Sequence, residues 1–232
     1  MRTWAVATLA AAAVAVAPTA AEAAEVAHWH MDEEAGASIM LDSASAGGEN
    51  NGAIRDVTTG DPGLVSGSAY TFDGANSMVQ VPDSNLLDPG SSPMTVTATV
   101  RTVDRPMPDD SYDLVRKGVT TTRGGDWKME IKRNPSNASV GRLHCSFKGV
   151  MADGVRRAVS RLAQVDVVDG RIHTLQCVRT ATAVHAVVDG RVFTTAKVSG
   201  SISNDQPVII GAKSLGDDVL LGTLDDVTID IG

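Results

Sequence analysis

The chain has 232 residues and a mass of 24.1 kDa, a length that permits one or two domains around a large hydrophobic core. Its formal net charge is -8 and no basic patch is interleaved with aromatic residues, which argues against a nucleic-acid partner. Aromatic residues make up only 3% of the sequence, so few rings are free to build a ligand platform.

The first element in chain order is a targeting segment. Arg2 precedes an apolar run from Trp4 to Ala17, and Ala21, Glu22 and Ala23 follow as an A-x-A pattern. This predicts a secretory signal peptide over residues 1–23, in preference to a buried N-terminal helix, and an exported chain beginning near Ala24. The apolar run is too short for a comfortable membrane span, and no later stretch approaches the roughly 20 apolar residues a span requires. The protein is therefore not expected to be membrane-embedded. Export would also place Cys145 and Cys177 where a disulfide is favoured, with two buried free thiols as the alternative. In the chain-entropy picture a bridge between them is worth roughly 3.5 kcal/mol.

From there on the sequence alternates in short runs. In MTVTATVR (94–101), Met94, Val96, Ala98 and Val100 face one way and Thr95, Thr97, Thr99 and Arg101 the other. WKMEIKR (127–133) repeats the pattern with Trp127, Met129 and Ile131 against Lys128, Glu130 and Lys132, and in VGRLHCSF (140–147) Leu143, Cys145 and Phe147 share a face. These are half-buried antiparallel strands. Asp73-Gly74, Asp88-Pro89-Gly90, Gly124-Gly125 and Asp153-Gly154 supply turns between them. No long linker divides the chain, so the reading is one all-β domain over 25–232, a two-sheet sandwich or jelly roll. VVDGR occurs twice, at 167–171 and 187–191. The flanking sequences diverge, so convergent Asp-Gly turn chemistry explains the repeat better than a duplicated domain. RIHTLQCVR (171–179), AVHAVVD (183–189) and RVFTTAKV (191–198) then form a meander.

The segment DGRIHTLQCVRTATAVHAVVDGRVF resembles the central part of laminin-G-like domains of the concanavalin A-like jelly-roll superfamily. Ile172 stands where a tryptophan is expected there, and His173 retains the histidine beside it. HWHMDEEAG with MLDSASAGGENNG, YTFDGANSMVQVPDS, PMTVTATVR, VIIGAK and LGTLDDVTI follow the family's order, so the likeness covers about residues 28 to 231. The resemblance implies two antiparallel sheets face to face, first and last strands adjacent, and a structural calcium near the chain ends. The sequence offers hard oxygen ligands in suitable places: Asp32, Glu33 and Asp42 early, Asn50 and Asn51 beside them, and Asp225 and Asp226 late. Asp32, Asn51 and Asp225 are the expected ligands of a Ca2+ ion that holds the fold. Solvated or turn-capping roles are the alternative.

Glucanases share this superfamily, and their Glu-x-Asp-x-x-Glu pattern on one strand is absent here. Glu130 between two lysines reads as a solvent face, and Asp225 and Asp226 are adjacent and so point to opposite sides. Asp217 and Asp218 read as solvated loop residues. His28 and His30 share a face if HWH is extended, an arrangement open to a metal or a base, although a plain solvated pair is the expected reading. His173, on a face with Leu175 and Cys177, reads as a hydrogen-bonded, partly buried imidazole, and no G-x-S-x-G elbow is present. No catalytic residue is assigned.

The function expected is a secreted, non-catalytic binding module for carbohydrate or a cell-surface component, with a structural or protein-contact domain as the alternative. The charged segment from Arg105 to Asp126 reads as a loop and as the place for ligand contacts, with Tyr112, Arg116 and Lys117 as candidates and Trp29 as a second candidate exposed ring.

Overall fold

The computed structural model describes residues 23–45, 50–134 and 136–232. The expected signal peptide lies outside the described residues except for Ala23. Among the described residues the regular structure is all strand apart from a single 3-10 turn at Asn85–Leu87. In chain order the strands are β1 (Ala24–Trp29), β2 (Ile39–Met40), β3 (Gly52–Arg55), β4 (Thr58–Pro62), β5 (Ser68–Asp73), β6 (Met78–Val81), β7 (Met94–Arg101) and β8 (Ser111–Lys117). They continue as β9 (Asp126–Asn134), β10 (Asn137–Val150), β11 (Arg156–Leu162), β12 (Ile172–Arg179), β13 (Val184–Val188), β14 (Arg191–Thr195), β15 (Val208–Ile210) and β16 (Leu221–Ile231).

Two antiparallel sheets face each other. The first runs β14-β13-β12-β7-β16-β5-β4, with β1 also on β16; the second runs β11-β10-β9-β8-β15-β6-β3-β2. The expected two-sheet sandwich, the β7 strand and the β12–β13–β14 meander are all present. Alternation dictates what meets in the middle. Val96, Ala98, Val100, Leu175, Leu224 and Ile229 of the first sheet and Trp127, Met129, Ile131, Leu143 and Phe147 of the second are all buried in one core. Cys145 of β10 and Cys177 of β12 form a disulfide across the sandwich, with Cα atoms 5.3 Å apart, which ties one sheet to the other.

Strand β16 organises the first sheet. One edge pairs with β7, while the other is shared: Leu221–Leu224 pair with β5 and Val227–Ile231 with β1. The register against β7 slips between Asp225 and Thr228, and Asp226 there has φ 51°. First and last strands are thus neighbours.

The two VVDGR copies have different structures and a shared purpose. Val167 and Val168 are buried in a loop before β12, whereas the second copy ends β13 and turns through Asp189 (φ 50°) and Gly190 (φ 79°), a left-handed pair suited to a two-residue hairpin. Asp169 from the first copy and Asp189 from the second each hold a ring nitrogen of His173, at 3.0 and 2.8 Å. Burial lowers the His173 pKa, but these two carboxylates outweigh it and the net shift is upward.

One expectation fails. The segment from Arg105 to Asp126 is not a loop: it contains β8, a strand in the middle of the second sheet with every residue buried. Its sequence, SYDLVRK, does not alternate because the register slips between Asp113 and Val115, and because Lys117 is buried opposite core-facing Trp127.

Candidate functional site

Polar side chains gather on the outer face of the second sheet. Trp127, Met129 and Ile131 turn into the core, so Lys128, Glu130 and Lys132 turn outward. Glu130 is nevertheless fully buried, which corrects its reading as a solvent-facing residue. Its Oε1 lies 2.6 Å from His144 Nδ1 and 3.1 Å from Lys132 Nζ, and its Oε2 accepts from Ser111 Oγ and Lys128 Nζ, both at 2.8 Å. Burial pushes the Glu130 pKa up, but the hydrogen bond to His144 and the Lys128 ammonium outweigh it, leaving the carboxyl well below the usual range. Strand pairing sets Asp113 of β8 directly opposite Glu130. Burial pushes Asp113 up to about 6, opposed by the Arg116 guanidinium bound to it and reinforced by Glu130.

Above Glu130 the surface opens into a groove of about 660 Å3. Ser111, Lys128, Glu130, Lys132, Asn134 and Asp218 are among its walls, and nearly every lining residue carries a hydrogen-bonding side chain. Lys128 and Lys132 supply donors and Asp109, Asp110 and Asp218 supply carboxylate acceptors, a wall suited to groups that donate and accept at once. Asp113 is buried and is not part of the groove lining, so the two carboxyls do not flank the groove. A second groove of about 510 Å3 on the same face is mainly apolar, with Ile54, Met78, Val119, Ile209 and Leu215 in its lining.

The three expected ligand contacts do not form a common exposed site. Tyr112 is 8% exposed and belongs to the core, and it borders a separate cleft that includes Asp104 and Arg105. Burial and the nearby Asp104 carboxylate raise its pKa. Arg116 is 3% exposed; it holds Asp113 and the Gly118 carbonyl and lines the apolar groove. Lys117 is wholly buried, donating to Asp83 Oδ1 at 2.7 Å and to Asp88 Oδ1 and the Asn204 carbonyl, both at 2.6 Å. Trp29 is buried too and donates to the Asn50 carbonyl. Indeed Trp29, Tyr70, Phe72, Tyr112, Trp127, Phe147 and Phe193 are all buried, so the described residues offer no exposed tryptophan, tyrosine or phenylalanine ring. The groove residues Lys128, Glu130 and Lys132 went unassigned because their partners Ser111 and His144 come from other strands. Their one sequence signal is charge at i, i+2 and i+4 on a single strand face.

A family model described as the concanavalin A-like lectin/glucanases superfamily matches residues 73–230. The chain belongs to this superfamily. No curated protein matches it by sequence. Among solved structures it resembles the binding domain of Paraclostridial Mosquitocidal Protein 1 (TM-score 0.63, 14% identity, 89% of this chain and 48% of that one). It also resembles domain 4 of AbnA, an extracellular arabinanase from Geobacillus stearothermophilus, in complex with arabinotriose (TM-score 0.60, 16% identity, 91% and 94%). Domains LG4-5 of the mouse laminin alpha1 chain give a TM-score of 0.51 at 16% identity over 72% and 43%. The chain thus spans about half of the mosquitocidal domain and nearly all of the arabinanase domain.

The superfamily resemblance carried an expectation of calcium, which the side chains near the chain ends allow to be examined. Asp32 Oδ1 accepts from the Ser68 N–H at 2.7 Å, and Asp225 Oδ2 from the N–H groups of Leu64 and Val65 at 2.8 and 2.9 Å. Both carboxylates pin one loop, between β4 and β5. Asn51 Oδ1 instead accepts from the Asp42 N–H at 2.8 Å. These contacts use one oxygen of each aspartate, so calcium held by Asp32, Asn51 and Asp225 would draw on the second carboxylate oxygens. Asp225 is raised by burial in spite of its backbone partners.

Proposed function

We propose that this protein is an exported, non-catalytic binding module whose ligand is a glycan of a polysaccharide or cell surface, held in the polar groove over β8 and β9. The observation that carries this reading is the groove itself: about 660 Å3 walled by lysines, carboxylates, Ser111 and Asn134, donors and acceptors that match sugar hydroxyls. Recognition would rest on hydrogen bonds, since the described aromatic side chains are buried. Support comes also from structural neighbours: the arabinanase domain is in complex with arabinotriose, and a neurotoxin binding domain, at 11% identity, is in complex with SialylT. The Cys145–Cys177 disulfide favours an oxidising compartment, consistent with export. No helix of the described residues is long and apolar enough to cross a membrane.

The test is binding of the purified protein to an array of polysaccharides and cell-surface fractions, with arabinan and sialylated oligosaccharides included, in calcium and again in chelator. Saturable binding to one glycan class that Lys132→Ala weakens at least tenfold supports the reading. Loss in chelator would add a requirement for calcium. Silence across the array from folded protein would favour a protein-contact role, for which the specific observation is the apolar groove, where Val119 is 37% and Leu215 47% exposed.

A further inference from the structure

We propose that His28, His30 and Asp226 form a site for a divalent transition metal, with zinc as the reference ion, that clips the first strand to the last. The site lies apart from the glycan groove and does not depend on that reading. His28 is in β1, His30 follows its end, and their rings lie on one side with centroids 3.9 Å apart. Asp226 reaches them from the bulge in β16: its Oδ1 is 2.7 Å from His28 Nε2 and 3.4 Å from His30 Nδ1. One donor atom from each of the three residues falls within 4.8 Å of the others. With metal bonds of about 2.0–2.1 Å, the edge of a tetrahedron is about 3.3 Å. The His30–Asp226 edge already has that length, and the His28–Asp226 edge needs to open by roughly 0.6 Å to reach it.

Two further features fit a metal better than a chance hydrogen-bonded triad. His28 Nδ1, the nitrogen turned away from Asp226, lies 3.3 Å from Glu25 Oε2, so a carboxylate is in place to orient the imidazole and fix its tautomer. Asp226 also occupies a left-handed conformation, φ 51°, uncommon for a residue with a Cβ. It does so where β16 passes from β5 to β1, and the bulge sends consecutive aspartates to different neighbours. Asp225 goes inward to the Leu64 and Val65 amides, and Asp226 goes outward to the histidines. That local backbone turn aims the Asp226 carboxylate at the two histidines. The side chains of His28, His30 and Asp226 are 19%, 51% and 34% exposed, enough for an ion to enter and for water to complete its shell. Two imidazoles and one carboxylate suit zinc, nickel or copper, whereas calcium prefers oxygen alone.

The experiment is calorimetric titration of the chelator-stripped full chain with ZnCl2, repeated with CaCl2 and supplemented by the visible spectrum of the cobalt-loaded protein. One equivalent of zinc is expected to bind and to raise the melting temperature, with cobalt absorption bands of a four-coordinate nitrogen–oxygen site. His30→Ala and Asp226→Asn should each weaken binding by at least about tenfold, and Glu25→Gln by about tenfold. Asparagine tolerates the left-handed backbone, so Asp226→Asn removes the ligand charge without forcing the bulge to rearrange. His144→Ala and His185→Ala, in histidines elsewhere on the sheets, should leave the zinc affinity unchanged. The proposal is overturned if folded protein gives no saturable zinc binding, if His30→Ala and Asp226→Asn bind as well as the parent, or if an equal concentration of calcium displaces the zinc.

Discussion

Two lysine–carboxylate clusters lie on neighbouring strands and have opposite characters. At the end of β8, Lys117 is wholly buried against Asp83, Asp88 and the Asn204 carbonyl, and its three donors have three acceptors. On β9, Lys128 and Lys132 flank buried Glu130 but are themselves 19% and 43% exposed at the groove. In the first cluster the cation is covered and its capacity is used up, so it can only hold loops together. In the second the anion is covered and the cations face outward, so donors remain for a ligand. Which partner is buried, not the presence of an ion pair, separates a structural tie from a binding wall.

That comparison is broken most severely at Lys117. Lys117→Met is expected to destabilise the fold by about 3 kcal/mol, the low end for removing one member of a buried pair because Asp83 is partly solvated. Urea denaturation would measure it, and the fraction that remains folded should bind glycan normally. A loss below about 1 kcal/mol would mean the cluster is not a tie. Glu130→Gln should come next, at about 2 kcal/mol, because it takes charge-assisted hydrogen bonds from Lys128 and His144. Unlike Lys117→Met it should also weaken glycan binding, since it frees the lysines that it positions.

Much of the sandwich could be read directly. MTVTATVR coincides with β7 from Met94 to Arg101, because one face meets the core and the other does not. The same rule failed for SYDLVRK, where Asp113, Arg116 and Lys117 are as buried as Leu114. Charge in that stretch suggested solvent, yet Asp113 and Arg116 pair with each other three residues apart, and Lys117 finds Asp83, Asp88 and the Asn204 carbonyl far along the chain. Asp218 likewise reads as a loop residue, and it is one, but its carboxylate accepts the Ser111 N–H and helps close the groove. His173 was legible as a held imidazole because its neighbours alternate. Its two holders, one from each VVDGR, became apparent only once the hairpin brought Asp189 back beside Asp169. Position along a strand can be read locally; the far partner of a buried charge depends on register, which a bulge shifts by one residue.

Lys132→Ala tests the exposed side of the comparison. Stability should change by no more than about 0.5 kcal/mol, as for an ordinary surface position, while glycan affinity falls at least tenfold. A variant equally affected in both would place Lys132 with Lys117 as a structural residue.

The smallest effect expected is the pH dependence from His173, which is intermediate between the two clusters: a mostly covered cation, 7% exposed, between carboxylates that are 33% and 50% exposed. Its pKa is raised in the folded state. The stabilisation is therefore fully present below the unfolded value of about 6.5 and is lost as pH rises through the higher folded value. Asp113, pushed up to about 6, has the same sign, but its contribution disappears at lower pH, from about 4 upward. Urea midpoints above about pH 6.5 follow the histidine, and comparison with a variant that lacks it isolates its share. The midpoint should fall across that range in the parent and stay flatter in His173→Gln, which keeps hydrogen-bonding capacity without a titratable charge. Parallel slopes in the two proteins would show that the doubled aspartates hold a neutral ring and that the repeat contributes turn geometry alone.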